Sequence, residues 1–196
     1  MHLVHEGHEH SVGGRLTTLA ERTDLPALLR DVRRGSTDAL AALYGEYGAV
    51  VYDIARRITG SAADAEDITQ DVFIGLPEAA AVFDGRGSFE GWLKKVAVRA
   101  SLMRLRDRRR IHGLDGDRPP DGRLVADETG AAIDRIAIER ALTLLPDELR
   151  VVFVLKEIEG YSHREAAALV GITKGASEVR LFRARKALQE LIGGRP

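Results

Sequence analysis

The chain has 196 residues, 44% of them hydrophobic and 30% charged, which suits one or two packed, water-soluble domains. Its formal net charge is −1, so a uniformly basic nucleic-acid coat is excluded and any such contact must come from local basic faces. The absence of cysteine excludes disulfides, thiol catalysis and thiolate metal sites; no apolar run approaches the roughly 18 residues of a membrane span and "MHLVHEGHEH" has no secretory apolar core, so a cytoplasmic protein without membrane insertion is expected.

Residues 1–23 read as a disordered tail carrying His2, His5, His8 and His10. Their spacing nearly makes the zinc-protease pattern H-E-x-x-H, but Glu9 stands where the second histidine belongs, so no metal or other cofactor is expected. Helical periodicity begins at Leu25, Leu28, Leu29 and Val32. Gly35 stops that helix and Ser36 can cap the next. Leu40, Leu43, Tyr44, Tyr47, Val50, Val51, Ile54 and Ile58 continue the spacing to Gly60. Ser61 with Asp64 makes a start like a capping box, with Asp in place of Glu, and that helix is predicted to run to about Val82. "FDGRGS" is a glycine-bearing loop, and another helix follows from about Phe89.

The pattern then fails. "HGLDGDRPPDGRLVADETGAA" is rich in Gly, Pro and Asp and reads as a linker over 111–131 between domains spanning 24–110 and 132–193. Helical spacing resumes at Ile133, Ile136, Ala137, Ala141 and Leu144. Pro146 can open a helix from Asp147 to Glu159, ended by Gly160. "SHRE", Ser162 to Glu165, is a capping box opening a short helix. Gly171 breaks it and Thr173 can cap a final helix. No strand pattern is present. The expected fold is all-α, two helical domains joined by a flexible linker.

Three charge patterns carry the functional reading. The two helices around Gly171 form a helix-turn-helix. On the second, Leu181, Ala184 and Leu188 project one way with Ser177 roughly in line. Val179, Arg183 and Lys186 project the other way, flanked by Glu178 and Phe182. Such a face suits a major groove, where Arg and Lys meet phosphates or guanine edges and Val or Phe a thymine methyl. Secondly, Asp64 to Phe73 holds four acids and no base. Asp64, Asp67 and Asp71 share a face beside Glu66 and Gln70, which would repel phosphate and suits a basic protein partner. Thirdly, Lys94 to Arg110 holds eight bases and one acid, a phosphate-binding candidate. Phe89 and Trp92 at its start read as core, with stacking on unpaired bases as the alternative. No nucleophile–base pair or phosphate loop points to an enzyme.

With these pieces placed, the chain resembles the extracytoplasmic-function (ECF) group of bacterial RNA polymerase sigma factors. "GSAADAEDITQDVF" is similar to the family's second region, which grips the polymerase β′ subunit. "GSFEGWLKKVAVRASLMRLRDRRR" is similar to its promoter-melting, minus-ten-reading helix. The segment from "LPDELRVVF" to "RARKAL" is similar to the fourth region, which reads the minus-thirty-five element. The resemblance implies a non-enzymatic initiation factor whose partners are core RNA polymerase (β′ and β), promoter DNA and an anti-sigma factor. It implies core contacts at Asp64, Asp67, Gln70 and Asp71. Minus-ten contacts would lie at Asp84, Arg86, Ser88, Lys94, Lys95 and Arg99, the loop Asp84 to Ser88 lying where the family captures a flipped base. Minus-thirty-five contacts would lie at Lys174, Glu178, Val179, Phe182, Arg183 and Lys186. The linker acids would thread toward the RNA path. The sequence departs from the family at Arg99, where Asn is common, at Glu178, where a base is common, and at Ser177, where a β-branched residue is common. Ser177 is expected to weaken the local core. The alternative is a self-sufficient helix-turn-helix regulator, which predicts a two-fold operator and no need for polymerase.

Overall fold

The computed structural model describes residues 24–112 and 131–193. The histidine tail and most of the expected linker lie outside the described residues. What is described is helical, in chain order α1 (Leu25–Arg33), α2 (Thr37–Thr59), α3 (Ala62–Ile74), α4 (Leu76–Ala79), a 3₁₀ turn (Ala80–Val82), α5 (Phe89–His112), α6 (Ala131–Leu144), α7 (Asp147–Phe153), a π turn (Val154–Ile158), α8 (His163–Val170) and α9 (Lys174–Gly193). No strand occurs among the described residues, as the sequence predicts. No helix there is long and apolar enough to cross a membrane.

The helix boundaries follow from caps. The Ser36 hydroxyl accepts from the Ala39 N–H at 3.2 Å, and Ser61 accepts from Asp64 N–H at 3.2 Å, each satisfying one of the donors a helix start leaves open. Ser162 and Glu165 complete the predicted reciprocal box. Thr173 caps α9 through the Ala176 N–H at 3.1 Å. At Ser61 the box stays half-made: the Ser61 N–H goes to Thr59 Oγ1, because the Asp64 carboxylate is drawn away to two arginines of α5. The helix predicted to reach Val82 ends instead at Ile74. Gly75 and Pro77 break the register, and the chain restarts as α4 and the 3₁₀ turn. The carbonyl of Ala80 in that turn accepts from Arg33 Nε at 3.0 Å. The helix expected from Asp147 to Glu159 changes to π winding at Val154.

The first five helices pack around Leu43, Val51, Ile54, Ile58, Ile68, Leu93 and Val98, all buried. Val151, Val154, Leu155 and Ala166 from the C-terminal helices belong to this same apolar core. A smaller core joins Ala141, Leu142 and Leu145 to Ala184 and Leu188. The two helical groups therefore sit directly on one another. Buried hydroxyls at Thr59, Thr69 and Ser101 each donate to the carbonyl four residues back, at 2.8, 2.7 and 2.7 Å, so none leaves an open polar group.

The seam between the groups is organised by Arg150, whose side chain is 2% exposed. Its Nε donates to the Ile58 carbonyl at 3.1 Å and its Nη2 to the Thr59 carbonyl at 2.9 Å. These belong to the last turn of α2, where carbonyls have no helical partner and the dipole favours a cation. Its Nη1 donates to the Leu145 carbonyl at 2.9 Å, and Asp147 pairs with the guanidinium. One arginine thus closes the ends of two helices distant in sequence. Gly60 makes room for it. Its φ is +72°, and an added Cβ there would stand 2.9 Å from Arg150 Cζ.

Candidate partner and nucleic-acid interfaces

The acidic and basic helices meet each other. Arg104 Nε lies 2.7 Å from Asp64 Oδ1 and Arg104 Nη2 2.6 Å from Asp67 Oδ2. Arg108 spans 3.2 Å to Asp64 and 2.7 Å to Asp147. Hydrogen bonding to Asp64, then to Asp67, strengthens the hold of the Arg104 guanidinium on its proton. The expected acidic face is therefore divided. Asp64 is mostly covered and Asp67 is shared with α5, while Gln70 and Asp71 point outward. Ile74, 74% exposed, continues the Asp67–Asp71 stripe at helical spacing, giving it an apolar end.

The loop Asp84 to Ser88 is pinned at both ends by rings. Phe83 and Phe89 stand 5.6 Å apart edge to face, and Trp92 stacks on Phe89 at 5.5 Å. Tyr47 closes the cluster from α2, 5.3 Å from Phe89, and burial, helped by Glu46, pushes its hydroxyl up to about 12. Phe89 is buried and Trp92 half-buried, which places both in the core. Within the loop, Asp84 Oδ1 accepts from the Arg86 N–H at 2.9 Å. Gly85 and Gly87 adopt φ of 75° and 82°, left-handed positions that favour glycine. Ser88 caps α5 through the Gly91 N–H at 3.0 Å. The loop thus presents Asp84, Arg86 and Ser88 together, all exposed. Along α5, Lys94 is tied to Glu90 at 2.7 Å. Lys95 and Arg99 are exposed.

On α9 the two faces fall as the spacing predicts. Leu181, Ala184 and Leu188 are buried; Val179 is half exposed and Phe182 70% exposed, with Glu178, Arg183 and Lys186 also outward. Lys174 pairs with Glu178 at 3.3 Å, partly neutralising each. Arg180 and Arg185 turn to Glu148 and Glu157 instead. Ser177 is buried, and its hydroxyl lies 3.0 Å from His163 Nδ1. The expected weak spot in the core is thus a satisfied polar contact between α8 and α9.

The capping box of α8 gives an acid-limb prediction. Hydrogen bonding from Ser162 holds the Glu165 carboxyl below its usual range. A depressed carboxyl stabilises the fold above its unfolded value, about 4.3, and that contribution is lost as pH falls through the folded value. Glu165→Gln is expected to flatten the acid limb of stability, read from urea midpoints across that range.

Sequence reading missed Arg104, Arg108, Asp147 and Arg150. The four-residue spacing of Arg104 and Arg108 opposite Asp64 and Asp67 was the available signal. Nothing in "DELRVVFVL" marks Arg150 as a double helix cap.

Comparison with known proteins agrees with this geometry. Residues 43–111 match the family described as Sigma-70 region 2, and residues 135–188 match Sigma-70, region 4. The chain is 32% identical over 176 residues to the ECF RNA polymerase sigma factor SigM of Mycobacterium tuberculosis, covering 88% of this chain and 86% of that one. It is 28% identical to the ECF RNA polymerase sigma factor SigW of Bacillus subtilis, covering 83% and 93%. Among solved structures, CnrH in complex with the cytosolic domain of CnrY is similar at a TM-score of 0.51 and 28% identity, over 87% of this chain and 97% of that one. Two family regions in order, the second built on a helix-turn-helix, define a sigma-70-type transcription factor. Within that class, the chain belongs to the sigma-70 family's ECF group, whose members direct transcription initiation from promoters.

Proposed function

We propose that this chain carries core RNA polymerase to promoters by reading two elements with separate helices, acting in the cytoplasm and leaving the chemistry to the polymerase. Region 2, assigned to 24–110, holds the polymerase through Gln70, Asp71 and the outer part of Asp67, with Asp64 as a partly covered member of the set. Asp84, Arg86 and Ser88 receive a flipped minus-ten base, and Lys94, Lys95 and Arg99 track the opened strand. Region 4, assigned to 132–193, reads the minus-thirty-five element with Lys174, Glu178, Val179, Phe182, Arg183 and Lys186. The observation that carries this reading is α9, with Phe182 and Arg183 outward over a buried Leu181, Ala184 and Leu188. Its partners are then core polymerase (β′ and β) and promoter DNA. An anti-sigma factor joins them by resemblance.

Purified core polymerase incubated with the protein and a random promoter library tests this. Stable association with promoter-selective transcripts is expected. Sequence-specific binding by the protein alone, on a two-fold operator and without polymerase association, would replace the reading with a self-sufficient regulator. Within the library, Arg183→Ala is expected to lose about 1–3 kcal/mol of discrimination at one upstream position. Loss spread evenly over all sequences would make Arg183 a phosphate contact.

A further inference from the structure

The loop Asp84 to Ser88 has little stiffness of its own. Two of its five residues are glycines in left-handed conformation, and glycine leaves a chain its widest choice of backbone states. Inside the loop the brace is the Asp84 carboxylate, which accepts from the Arg86 N–H at 2.9 Å and lies 3.5 Å from Arg86 Nε. Both side chains are exposed, so water weakens that brace. The shape of the loop is therefore set at its two ends. Downstream, Ser88 caps α5 and Phe89 is buried. Upstream, the chain leaves the 3₁₀ turn at Phe83, whose backbone is extended and whose ring packs on Phe89 and Trp92.

A side chain from far off in the sequence fixes that upstream corner. Arg33 ends α1 and meets the 3₁₀ turn across 47 residues of chain. Its Nε donates to the Ala80 carbonyl at 3.0 Å, its Nη2 donates to the same oxygen, and Nη2 stands 3.5 Å from the Phe83 carbonyl. The Ala80 carbonyl also takes the Phe83 N–H at 3.3 Å, so the bond that closes the turn and the guanidinium share one acceptor. The base of this arm is firm, because Leu29 and Val32 of α1 are buried in the N-terminal core. Ala80 is buried as well. Arg33 thus ties a helix anchored in the core to the residues just before Asp84. Arg34, the next residue, turns instead to Asp31 at 3.6 Å.

We propose that Arg33 is a positioning residue for minus-ten reading: it acts through the loop rather than on the base, holding the Ala80–Phe83 corner so that Asp84, Arg86 and Ser88 stand in place when the base arrives. This rests on the reading of that loop given under Proposed function. A loop already in its bound shape takes a base without the ordering cost that a free loop meets. Held in one shape, it accepts the base whose edge fits and leaves polar groups unpaired against the others, whereas a slack loop adjusts to several. The rival role for an exposed arginine near DNA is a phosphate contact, and it makes the opposite prediction, weaker binding at every sequence alike.

The full-length protein with core polymerase and a promoter library tests this. Asp84→Ala with Arg86→Ala first identifies the minus-ten position that the loop reads, as the position whose base preference disappears. Arg33→Met keeps an apolar stem and donates nothing. It is expected to lose discrimination at that same position by about tenfold, within what one mismatched base costs, while keeping its upstream preference and its affinity for core polymerase. Backbone hydrogen exchange over 83–88 is expected to quicken in the same variant. Arg33→Lys keeps the charge but not the planar fork, and is expected to restore little of the discrimination. Arg34→Met is expected to behave as the parent. Unchanged exchange in Arg33→Met would overturn the positioning role. So would a loss spread evenly over all minus-ten sequences and restored by lysine, which marks a phosphate contact. If the double loop variant changes no base preference, the base-capture reading itself falls, and the promoter half of this proposal falls with it, while exchange still decides whether Arg33 holds the loop.

Discussion

Asp67→Arg combined with Asp71→Arg is expected to lower affinity for core polymerase about a hundredfold or more, with helicity unchanged. Reversing two charges at a complementary interface replaces attraction with repulsion and leaves partner bases unpaired, at a cost of several kcal/mol. The same change costs the fold little. Asp71 is exposed, and the Asp67–Arg104 pair is 56% and 41% exposed, in the range where an ion pair contributes about 0.2–1 kcal/mol. Asp71→Arg alone is the cleaner half of the experiment, because it breaks no ion pair with α5. Surface-immobilised core polymerase and a titration of each variant provide the measurement. Unchanged affinity in the double variant would remove this stripe from the polymerase contact.

Arg150→Met is expected to destabilise the protein by about 3–5 kcal/mol, the loss seen when one partner of a buried, hydrogen-bonded ion pair is removed. The methionine fills similar space but donates nothing. The carbonyls of Ile58, Thr59 and Leu145 lose this donor, and Asp147 loses a guanidinium partner. The effect is expected to reach both helical groups, since the arginine caps α2 and the end of α6 together. Urea unfolding followed by Trp92 fluorescence reports on the N-terminal group, and far-ultraviolet circular dichroism reports on the whole chain. A shift confined to the circular dichroism signal would show that the arginine serves the C-terminal helices alone.

Much of the architecture was legible because it is written locally. Ser36, Ser61, Ser162 and Thr173 announce helix starts through their own hydroxyls, and Gly60 and Gly171 announce helix ends through left-handed φ. The two faces of α9 were legible for the same reason, since 3.6-residue spacing alone separates Leu181 from Arg183. The break at Gly75 was missed because the apolar period runs on through Leu76, and Pro77 reads equally well as an interior kink or a fresh first turn. The partition of the acidic face was not legible. Asp64 and Asp71 look alike on a helical projection, and only the approach of Arg104 and Arg108, 37 to 44 residues away, separates a structural carboxylate from an outward one. Arg150 lay beyond sequence reasoning altogether, because its purpose is set by helix ends 91 and 92 residues distant.

That distance also sets an order of events on the ribosome. The residue that closes α2 is made 92 residues after Ile58. At about 5–20 residues per second, α2 waits roughly 5–18 seconds before its cap exists. Helix α5 ends at His112, so it is complete but uncovered by the C-terminal helices only while the last 38 residues up to Arg150 are made, about 2–8 seconds. A newly made chain therefore passes once, at birth, through a stage in which the N-terminal helices stand without the C-terminal helices that later pack on them.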